Sequence, residues 1–322
     1  MKRIAAQAFI LTGLLYVLTA CTSANAQLPS QTTAPTELPV TGTTFATEAT
    51  LPLYGWQESE GQRYYLYEDG TYAVGWLELE GKRYYLNENG VMQTGWLELE
   101  DRRYYLRPDG TMARGKTEIE GNVFYFTSSG AQILMANPWN RVPENYMPDL
   151  VPISSAISSR GSRIDRRCYD ALVSMMADCK TDSGASVYIV SAYRNQETQT
   201  VNYNKMVNAY LSAGYSQESA RAKAAKSVAV PGTSEHQLGL AVDIIDTRCW
   251  SLTPAQADLP GQKWLMENCW RYGFILRYPE DKTEITGIVY EPWHYRYVGL
   301  DVAAELHASG LTLEEYLESL NE

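Results

Sequence analysis

From Gly55 to residue 134, hydrophobic and polar positions recur with a period of 20 residues. Each unit carries two short aromatic or aliphatic runs, such as GWLEL and RYYL, separated by a turn with Gly or Asp. Such runs, with Asp-Gly or Asn-Gly at the end of most units, predict β-hairpins. Because one hairpin cannot bury its own face, the four copies predict a β-hairpin solenoid over residues 54–135.

Beyond residue 135 the pattern changes to helical spacing that alternates with short apolar runs. The predicted helices are 164–180, 195–228 (one or two helices), 261–272 and 299–320. The predicted strands are 187–194, 240–244 and 273–278, and 287–299 is predicted as a strand pair or as a strand and a turn. This order predicts an α+β domain over 136–322, a small antiparallel sheet with flanking helices. Thr312 and Glu315 have the spacing of a capping box that opens the last helix.

The first 53 residues follow neither pattern. Lys2 and Arg3 precede an apolar stretch that is short for a membrane span of about 20 residues but typical of a signal peptide. It ends in LTAC, which resembles the lipobox of bacterial lipoproteins and implies lipidation at Cys21; an ordinary signal peptide with a chance Cys is the alternative. We therefore expect a signal peptide at 1–21 and an anchor on the outer face of the cell membrane. Residues 22–53, rich in Thr, Pro, Ala and Ser, predict a disordered tether.

Composition restricts the classes of partner that the chain is expected to bind. The chain has 27 Lys and Arg against 38 Asp and Glu, a net charge of -11. This acidic balance argues against nucleic acid as the main partner, since neutralising phosphates requires clustered basic residues. Besides Cys21, an exported chain with four cysteines permits three disulfide pairings. Those cysteines are Cys168, Cys179, Cys249 and Cys269, of which the first two share one predicted helix and cannot bond each other.

The run SEHQLGLAVDI contains one of only three histidines, His236, and an acid, Asp243, within an apolar stretch. In a helix the two would be about 10.5 Å apart along the axis, and in a fully extended strand over about 20 Å apart. Gly239 permits a reversal between them. We therefore expect His236 on a loop and Asp243 on the following strand, with both side chains directed at one point.

A second group, Glu291 and His294, lies in EPWHY. Residues three apart on a regular strand face opposite sides, but Pro292 cannot continue a sheet ladder, so a kink should turn both side chains to one cavity. Two histidines and one carboxylate, with a position left for water, form a catalytic zinc set. A further carboxylate that does not bind the metal acts as general base in such sites, and Glu291 is the candidate.

The combination Ser-x-His-x6-Asp followed by Glu-x-Trp-His closely resembles the VanY-type D-alanyl-D-alanine carboxypeptidases, zinc peptidases that trim peptidoglycan stem peptides. The resemblance covers about 136–322. It implies Zn2+ held by His236, Asp243 and His294, with Glu291 as base.

The segment SAYRNQETQ at 191–199 also resembles that family's Ser-x-Tyr-Arg-x4-Gln segment. It implies that Arg194 contacts the substrate and stabilises the oxyanion. The same resemblance implies three further substrate-binding residues, which are Ser191, Gln199 and Ser234.

The 20-residue units resemble the cell-wall-binding repeats of choline-binding and glucan-binding surface proteins. In choline binders a Trp usually precedes the Tyr-Tyr pair, whereas this chain has Arg63, Arg83 and Arg103 there. This departure argues against choline and leaves a cell-wall glycan or teichoic acid open as the ligand. The candidate ligand-binding residues of the repeats, which can equally belong to the core, are Trp56, Trp76 and Trp96.

Together these features predict a lipid-anchored zinc enzyme that removes the C-terminal D-alanine from peptidoglycan stem peptides. Three alternatives stay open: an L,D-carboxypeptidase or endopeptidase on the same scaffold, a non-enzymatic wall-binding lipoprotein, and a choline-dependent adhesin. A complete set of ligands plus base argues against a decayed enzyme.

Overall fold

The computed structural model describes residues 54–100 and 102–321. The predicted signal peptide at 1–21, its Cys21 and the predicted tether at 22–53 lie outside the described residues. No helix within the described ranges combines the length and the apolar character that a membrane crossing requires.

The four 20-residue units form four antiparallel hairpins, which confirms the prediction from their pattern. In the first hairpin, the turn places Glu60 at φ 53° and Gly61 at φ 72°. Two consecutive positive φ values define the type I′ turn that suits the twist of a two-stranded ribbon. The strands are β1 Gly55–Ser59, β2 Gln62–Leu66, β3 Gly75–Leu79, β4 Lys82–Leu86, β5 Gly95–Leu99, β6 Arg102–Leu106, β7 Gly115–Ile119 and β8 Asn122–Phe126.

The hairpins stack through their aromatic residues. The Trp56 ring lies 4.9 Å from the ring of Tyr84 in the next hairpin, in an edge-to-face arrangement. The pairs in the following hairpins have nearly the same separation, and they are Trp76 with Tyr104 at 5.0 Å and Trp96 with Phe124 at 4.9 Å. Each hairpin therefore buries its apolar face against its neighbour, as a solenoid requires.

Residues 136–321 have the predicted α+β architecture. The strands of this region are β10 Leu150–Pro152, β11 Arg163–Asp165, β12 Val187–Ser191, β13 Ala241–Asp246, β14 Phe274–Leu276 and β15 His294–Tyr297. The last four form a central antiparallel sheet with the order β12-β13-β15-β14. The helices are α1 Arg166–Ser183, α2 Gln196–Ser212, α3 Gln217–Ser227, α4 Pro260–Asn268, α5 Thr283–Thr286, α6 Leu300–Ser309 and α7 Leu313–Ser319.

Helix α1 packs its buried face on this sheet. Leu172 and Met175 share one apolar cluster with Ile189 of β12 and Ile244 of β13. Asp165 caps the helix by accepting a hydrogen bond from the backbone N–H of Arg167. The core therefore lies behind the sheet and holds the strands that carry the candidate site.

Several predicted elements are shorter than expected. The strand predicted at 187–194 ends at Ser191, after a register irregularity between Ile189 and Ser191. The helix predicted at 299–320 is two helices, because Gly310 ends α6 at φ 69° and Thr312 opens α7. Thr312 and Glu315 form the predicted capping box.

The four cysteines in the described part of the chain are free thiols. Cys168 and Cys179 both lie on α1, and burial raises the pKa of Cys269 to about 12. Thiols with raised pKa values in apolar surroundings are poor nucleophiles, so the three buried cysteines, which are Cys168, Cys179 and Cys269, act here as small core residues.

The fourth hairpin continues into the α+β domain. A short strand, β9 Gln132–Ile133, pairs with β8. Ile133 and Met135 are buried in one cluster with Leu306 of α6 and Leu317 of α7. The last repeat therefore shares a hydrophobic core with the C-terminal helices.

Candidate active site

The register of the central sheet brings three predicted site residues side by side. In β13, Asp243 lies opposite Ser191 of β12 on one side and opposite His294 of β15 on the other. Directly opposed residues of antiparallel strands project their side chains from the same face. Ser191, Asp243 and His294 therefore share one face of the sheet, although about a hundred residues separate the first from the last.

His236 approaches the same face from a short 3-10 turn, Glu235–Leu238. Gly239 ends this turn at φ 73°, a conformation that favours glycine, and the chain reverses into β13. The Nδ1 atom of His236 lies 2.7 Å from the carbonyl oxygen of Ala192. Because a carbonyl only accepts, Nδ1 carries the proton, and Nε2 faces Asp243 Oδ2 at 3.3 Å with its lone pair free.

His236, Asp243 and His294 form a compact set of donor atoms. One atom from each side chain lies within 4.8 Å of the others, and all three residues are buried. Burial and the nearby Arg194 lower the pKa of His236 to about 4, so its imidazole is neutral near pH 7. Burial opposes ionisation of Asp243, but the Arg194 guanidinium, which donates to its Oδ2, holds its pKa well below the usual range. A neutral imidazole and an ionised carboxylate are the protonation states that bind a divalent metal such as zinc.

Glu291 lies beside this set. The backbone N–H of His294 donates to the carbonyl oxygen of Glu291 at 3.1 Å, which closes a turn with Pro292 at its second position. The turn brings Glu291 Oε2 to 3.8 Å from His294 Nδ1. The predicted kink thus takes the form of a turn that ends where β15 begins. Burial raises the pKa of Glu291 to about 8, against the lowering effect of His294.

Arg194 lies at the edge of the site with 18% of its side chain exposed. Its Nε donates to Ser191 Oγ at 2.9 Å, its Nη1 to Gln199 Oε1 at 3.3 Å and its Nη2 to Asp243 Oδ2 at 2.6 Å. A guanidinium has five N–H donors, so two remain after these bonds.

The three residues predicted as substrate-binding have different surroundings. Ser191 and Gln199 both contact Arg194, and Gln199 is fully buried and also donates to the carbonyl oxygen of Ala229. Ser234 is 3% exposed and directly precedes the turn that carries His236. The geometry of Gln199 favours positioning Arg194 over lining an open pocket.

A buried ionic cluster behind His294 was not predicted from the sequence. Glu235 Oε1 accepts hydrogen bonds from Arg277 Nε and Arg296 Nη1, each at 2.8 Å, and all three side chains are fully buried. Burial alone would raise the pKa of Glu235, but the two arginines lower it below its ordinary value. Glu235 is therefore ionised inside the core. The sequence signal was Glu235 itself, a charged residue directly before His236 in the run SEHQLGLAVDI.

The second oxygen of Glu235 faces His294. Its Oε2 lies 3.6 Å from His294 Nε2. These are the two buried side-chain atoms of residues 54–100 and 102–321 that have no hydrogen-bond partner. An imidazole that binds a metal through one nitrogen usually donates its other N–H to a carboxylate. The positions of Glu235 and His294 therefore fit a metal bound by Nδ1 of His294, with the Glu235 carboxylate facing Nε2 on the other side of the ring.

The predicted binding residues of the repeats are partly buried and already have a cation above them. Arg63 Cζ lies 4.7 Å from the centroid of Trp56, and the equivalent arginines lie over Trp76 at 4.5 Å and over Trp96 at 3.8 Å. A guanidinium over an indole face makes a cation–π interaction. Each tryptophan thus stacks on an adjacent hairpin and holds an arginine of its own hairpin.

Comparison with known proteins gives matches to both the α+β domain and the repeats. A family model described as D-alanyl-D-alanine carboxypeptidase matches residues 161–300. Models of a choline-binding repeat and of a cell wall binding repeat match residues 73–114 and 55–72.

Individual proteins give the same result. A D-alanyl-D-alanine carboxypeptidase of Enterococcus faecalis is 43% identical over 187 residues, which is 58% of this chain and 66% of that relative. A solved structure of a mutant of the vancomycin resistance D,D-pentapeptidase VanY in complex with Zn(II) is 43% identical, with a TM-score of 0.51 over 57% of this chain and 97% of that chain. The LdcB LD-carboxypeptidase is 34% identical, with a TM-score of 0.52 over 64% of this chain and 94% of that chain.

The chain belongs to the VanY family of D-alanyl-D-alanine carboxypeptidases, with cell-wall-binding repeats preceding that domain. It spans just under two thirds of the length of its Enterococcus faecalis relative.

Proposed function

We propose that this protein is a zinc-dependent carboxypeptidase that removes the C-terminal D-alanine from peptidoglycan stem peptides. The observation that carries the proposal is the buried set of His236, Asp243 and His294, with Glu291 beside it. The Zn(II) complex of the VanY neighbour supports zinc as the metal, and the name of the Enterococcus faecalis relative supports the substrate.

Zinc at this site would supply Lewis-acid polarisation of water and of the scissile carbonyl. Glu291 accepts the proton of the attacking water and returns it to the leaving amine of the D-amino acid. Its raised pKa, about 8, suits a group that must both take and give a proton near neutral pH.

Arg194 would contribute hydrogen-bond donors to the substrate. Its bonds to Ser191, Gln199 and Asp243 fix the guanidinium, and its two remaining N–H groups can donate to substrate. Preorganised donors of this kind stabilise the developing oxyanion or hold the terminal carboxylate of the peptide. A held carboxylate gives carboxypeptidase rather than endopeptidase selectivity. Ser234 is a further substrate-binding candidate.

An L,D-carboxypeptidase is the second candidate, because the LdcB LD-carboxypeptidase has a comparable TM-score and coverage. The two activities require different substrates, a pentapeptide for D,D-cleavage and a tetrapeptide for L,D-cleavage. The purified protein should be incubated with defined tetra- and pentapeptide muropeptides and the products weighed by mass spectrometry. Loss of one D-alanine from the pentapeptide alone is the expected result, and cleavage of the tetrapeptide alone would favour the L,D-activity.

A Glu291→Ala variant is the matched control for that experiment. We expect it to bind zinc as the wild type does and to lose turnover by about a hundredfold or more, the contribution of a general base. A variant that keeps most of its activity would show that Glu291 is not the base.

The repeats and the N-terminus support a location outside the cytoplasm. We infer that the repeats bind a cell-wall glycan or teichoic acid and that lipidation at Cys21 anchors the chain on the outer face of the cell membrane. Mass spectrometry of the N-terminal peptide of the protein from membranes tests the anchor. A diacylglyceryl group on Cys21 is expected, and an unmodified terminus would contradict it.

A further inference from the structure

A basic cavity lies among the second, third and fourth hairpins, next to Leu320 and Asn321. Its volume is about 500 Å³. A water molecule occupies about 30 Å³ in the liquid, so the cavity can hold a segment of an extended ligand in addition to water. Five basic residues line it, which are Lys82, Arg83, Arg107, Arg114 and Lys116.

The concentration of positive charge here is unusual for this region. Residues 55–134 carry eight Lys and Arg residues against thirteen Asp and Glu residues, so the repeats are acidic as a whole. Five of those eight basic residues nevertheless line one cavity. None of the five forms an ion pair with a carboxylate among residues 54–100 and 102–321. The one acidic residue in the lining, Asp109, directs its Oδ1 to the hydroxyl and backbone N–H of Thr111.

Two of the arginines are held in place by the protein. Arg83 lies over the ring of Trp76, and its Nη1 donates to the carbonyl oxygen of Ser129 at 3.3 Å. The Nη1 of Arg107 donates to the carbonyl oxygen of Met112 at 3.0 Å. Each guanidinium keeps further N–H donors, and a fixed guanidinium loses little entropy when it binds an oxyanion.

The repeat scaffold does not account for three of the five charges. Arg107 occupies a position at which the other three units have Tyr67, Asn87 and Thr127. Arg114 corresponds likewise to Val74, Thr94 and Leu134, and Lys116 corresponds to the three tryptophans of the other units. Uncharged residues therefore suffice for the hairpin at each position, and the basic residues require another explanation.

We propose that this cavity binds a phosphodiester-linked polyanion of the cell wall, such as the backbone of a teichoic acid. The proposal deepens the proposed wall-binding function of the repeats and rests on it. Phosphate oxygens accept charge-assisted hydrogen bonds from arginine forks, and lysines add further positive charge around them. A polymer with one negative charge per repeating unit can place several phosphates in this cavity. Five cations line the cavity, and its volume is larger than a single ion needs.

The test uses the full-length protein and a poly(glycerol phosphate) of defined length as probe. In the first variant, Arg107→Asn and Arg114→Thr introduce the residues that the second unit has at those positions. The control variant, Arg102→Gln with Arg160→Gln, removes the same charge from exposed positions outside the cavity. A Lys82→Gln variant, which introduces the residue of the first unit at an exposed position, serves as a single substitution that leaves the hairpin contacts intact.

We expect the dissociation constant to rise at least about tenfold in the cavity variant and to stay unchanged in the control. Lys82→Gln should give a smaller rise, and wild-type binding should weaken with added salt. Equal weakening in the cavity and control variants would overturn the site. Inorganic phosphate that competes as well as the polymer at equal phosphate concentration would overturn the polymeric ligand, and so would equal binding to walls stripped of phosphate polymer.

Turnover of a soluble pentapeptide muropeptide by the same variants separates this inference from the proposed enzymatic function. The cavity lies outside the group of His236, Asp243 and His294, so turnover should not change. Loss of polymer binding with normal turnover supports the site. Normal polymer binding in a protein without turnover would leave the site standing and contradict the proposed carboxypeptidase alone.

Discussion

Two carboxylates with opposite protonation tendencies lie within the same buried site. Asp243 pairs with Arg194 at 2.6 Å and is ionised, whereas burial raises the pKa of Glu291 to about 8. Pairs of acids whose environments separate their pKa values are typical of sites in which one group binds or stabilises charge and the other transfers protons. The residue contacts therefore support Asp243 as ligand and Glu291 as base.

The pH dependence of zinc binding follows from His294. Burial would lower its pKa, but the hydrogen bond to Asp243 and the nearby carboxylate of Glu235 raise it to about 9. Below that value zinc must displace a proton from His294, so affinity should rise with pH, by up to about tenfold per unit, and level off near pH 9. His236, with a pKa of about 4, should add nothing to this range. Competition with a chelating dye from about pH 6 to about pH 8 measures it, and a flat profile would contradict the assignment.

Glu235 should act as a positioning residue for His294. Replacing it by Gln removes the negative charge that faces Nε2, and zinc affinity should fall about 10- to 100-fold, as for other carboxylates behind a metal-binding histidine. The measurement is zinc competition with a chelating dye, which does not depend on turnover.

The control for Glu235→Gln is Glu314→Gln. Glu314 pairs with the same arginine, Arg277, at 2.8 Å, whereas the carboxylate that faces His294 Nε2 is that of Glu235. Both variants should unfold at lower temperature, because each removes a charge from a buried ionic cluster. Only Glu235→Gln should lower zinc affinity, and equal zinc affinity in the two variants would show that the cluster is structural.

At the scale of elements, spacing and residue type predicted that His236, Asp243, His294 and Glu291 come together, as they do in the structure, but not the residues that support them. Gly239 predicted the reversal between His236 and Asp243, because glycine permits a positive φ. Pro292 predicted the kink between Glu291 and His294, because proline restricts φ and lacks a backbone N–H. Glu235, Arg277 and Arg296 could not be assigned, because the contacts that explain a buried charge are made across three separate elements. The short lengths of β12 and β14 likewise depend on register and irregularities that no local pattern specifies.

The reversal after the turn of His236 predicts a specific effect of Gly239→Ala. An alanine at this position would have a strained φ of 73°, and its Cβ would lie 3.0 Å from Leu150 Cδ2. The φ strain costs about 1–2 kcal/mol of unfolding free energy. The close contact should also displace the turn and weaken zinc binding. Urea unfolding and zinc competition measure the two effects.

Gly310→Ala is the matched control, since Gly310 has φ 69° and no atom within 4 Å of the added Cβ. It should lose a similar amount of stability from the backbone conformation but keep full zinc affinity. If both variants bind zinc as the wild type does, the geometry of His236 does not depend on close packing at Gly239.

At the scale of the whole molecule, the last repeat belongs structurally with the α+β domain. The Tyr125 hydroxyl donates to Asn140 at 2.9 Å, and Ser128 Oγ donates to Glu305 at 2.7 Å. The carbonyl oxygen of Leu134 accepts a hydrogen bond at 2.6 Å from Arg296, which also holds Glu235. The fourth hairpin is therefore linked by two steps to the residue behind His294.

These contacts predict that two truncations will behave differently. A chain of residues 115–322 keeps the fourth hairpin, whereas a chain of residues 136–322 begins at the boundary that the sequence pattern predicts. The shorter chain loses Ile133 and Met135 from the shared cluster, about 1.5–3 kcal/mol for each fully buried side chain. It also leaves a donor of the buried Arg296 without its partner, which adds about 1–3 kcal/mol.

Thermal unfolding and zinc affinity of the two truncated chains test this link. The 115–322 chain should unfold near the temperature of the full-length α+β domain and hydrolyse soluble muropeptide at the same rate. The 136–322 chain should unfold at a clearly lower temperature and bind zinc more weakly, because the cluster that orients His294 has lost one of its anchors. Equal stability and zinc affinity in the two chains would show that the fourth hairpin does not stabilise the α+β domain. The hydrogen bond between Leu134 and Arg296 would then have no effect on His294.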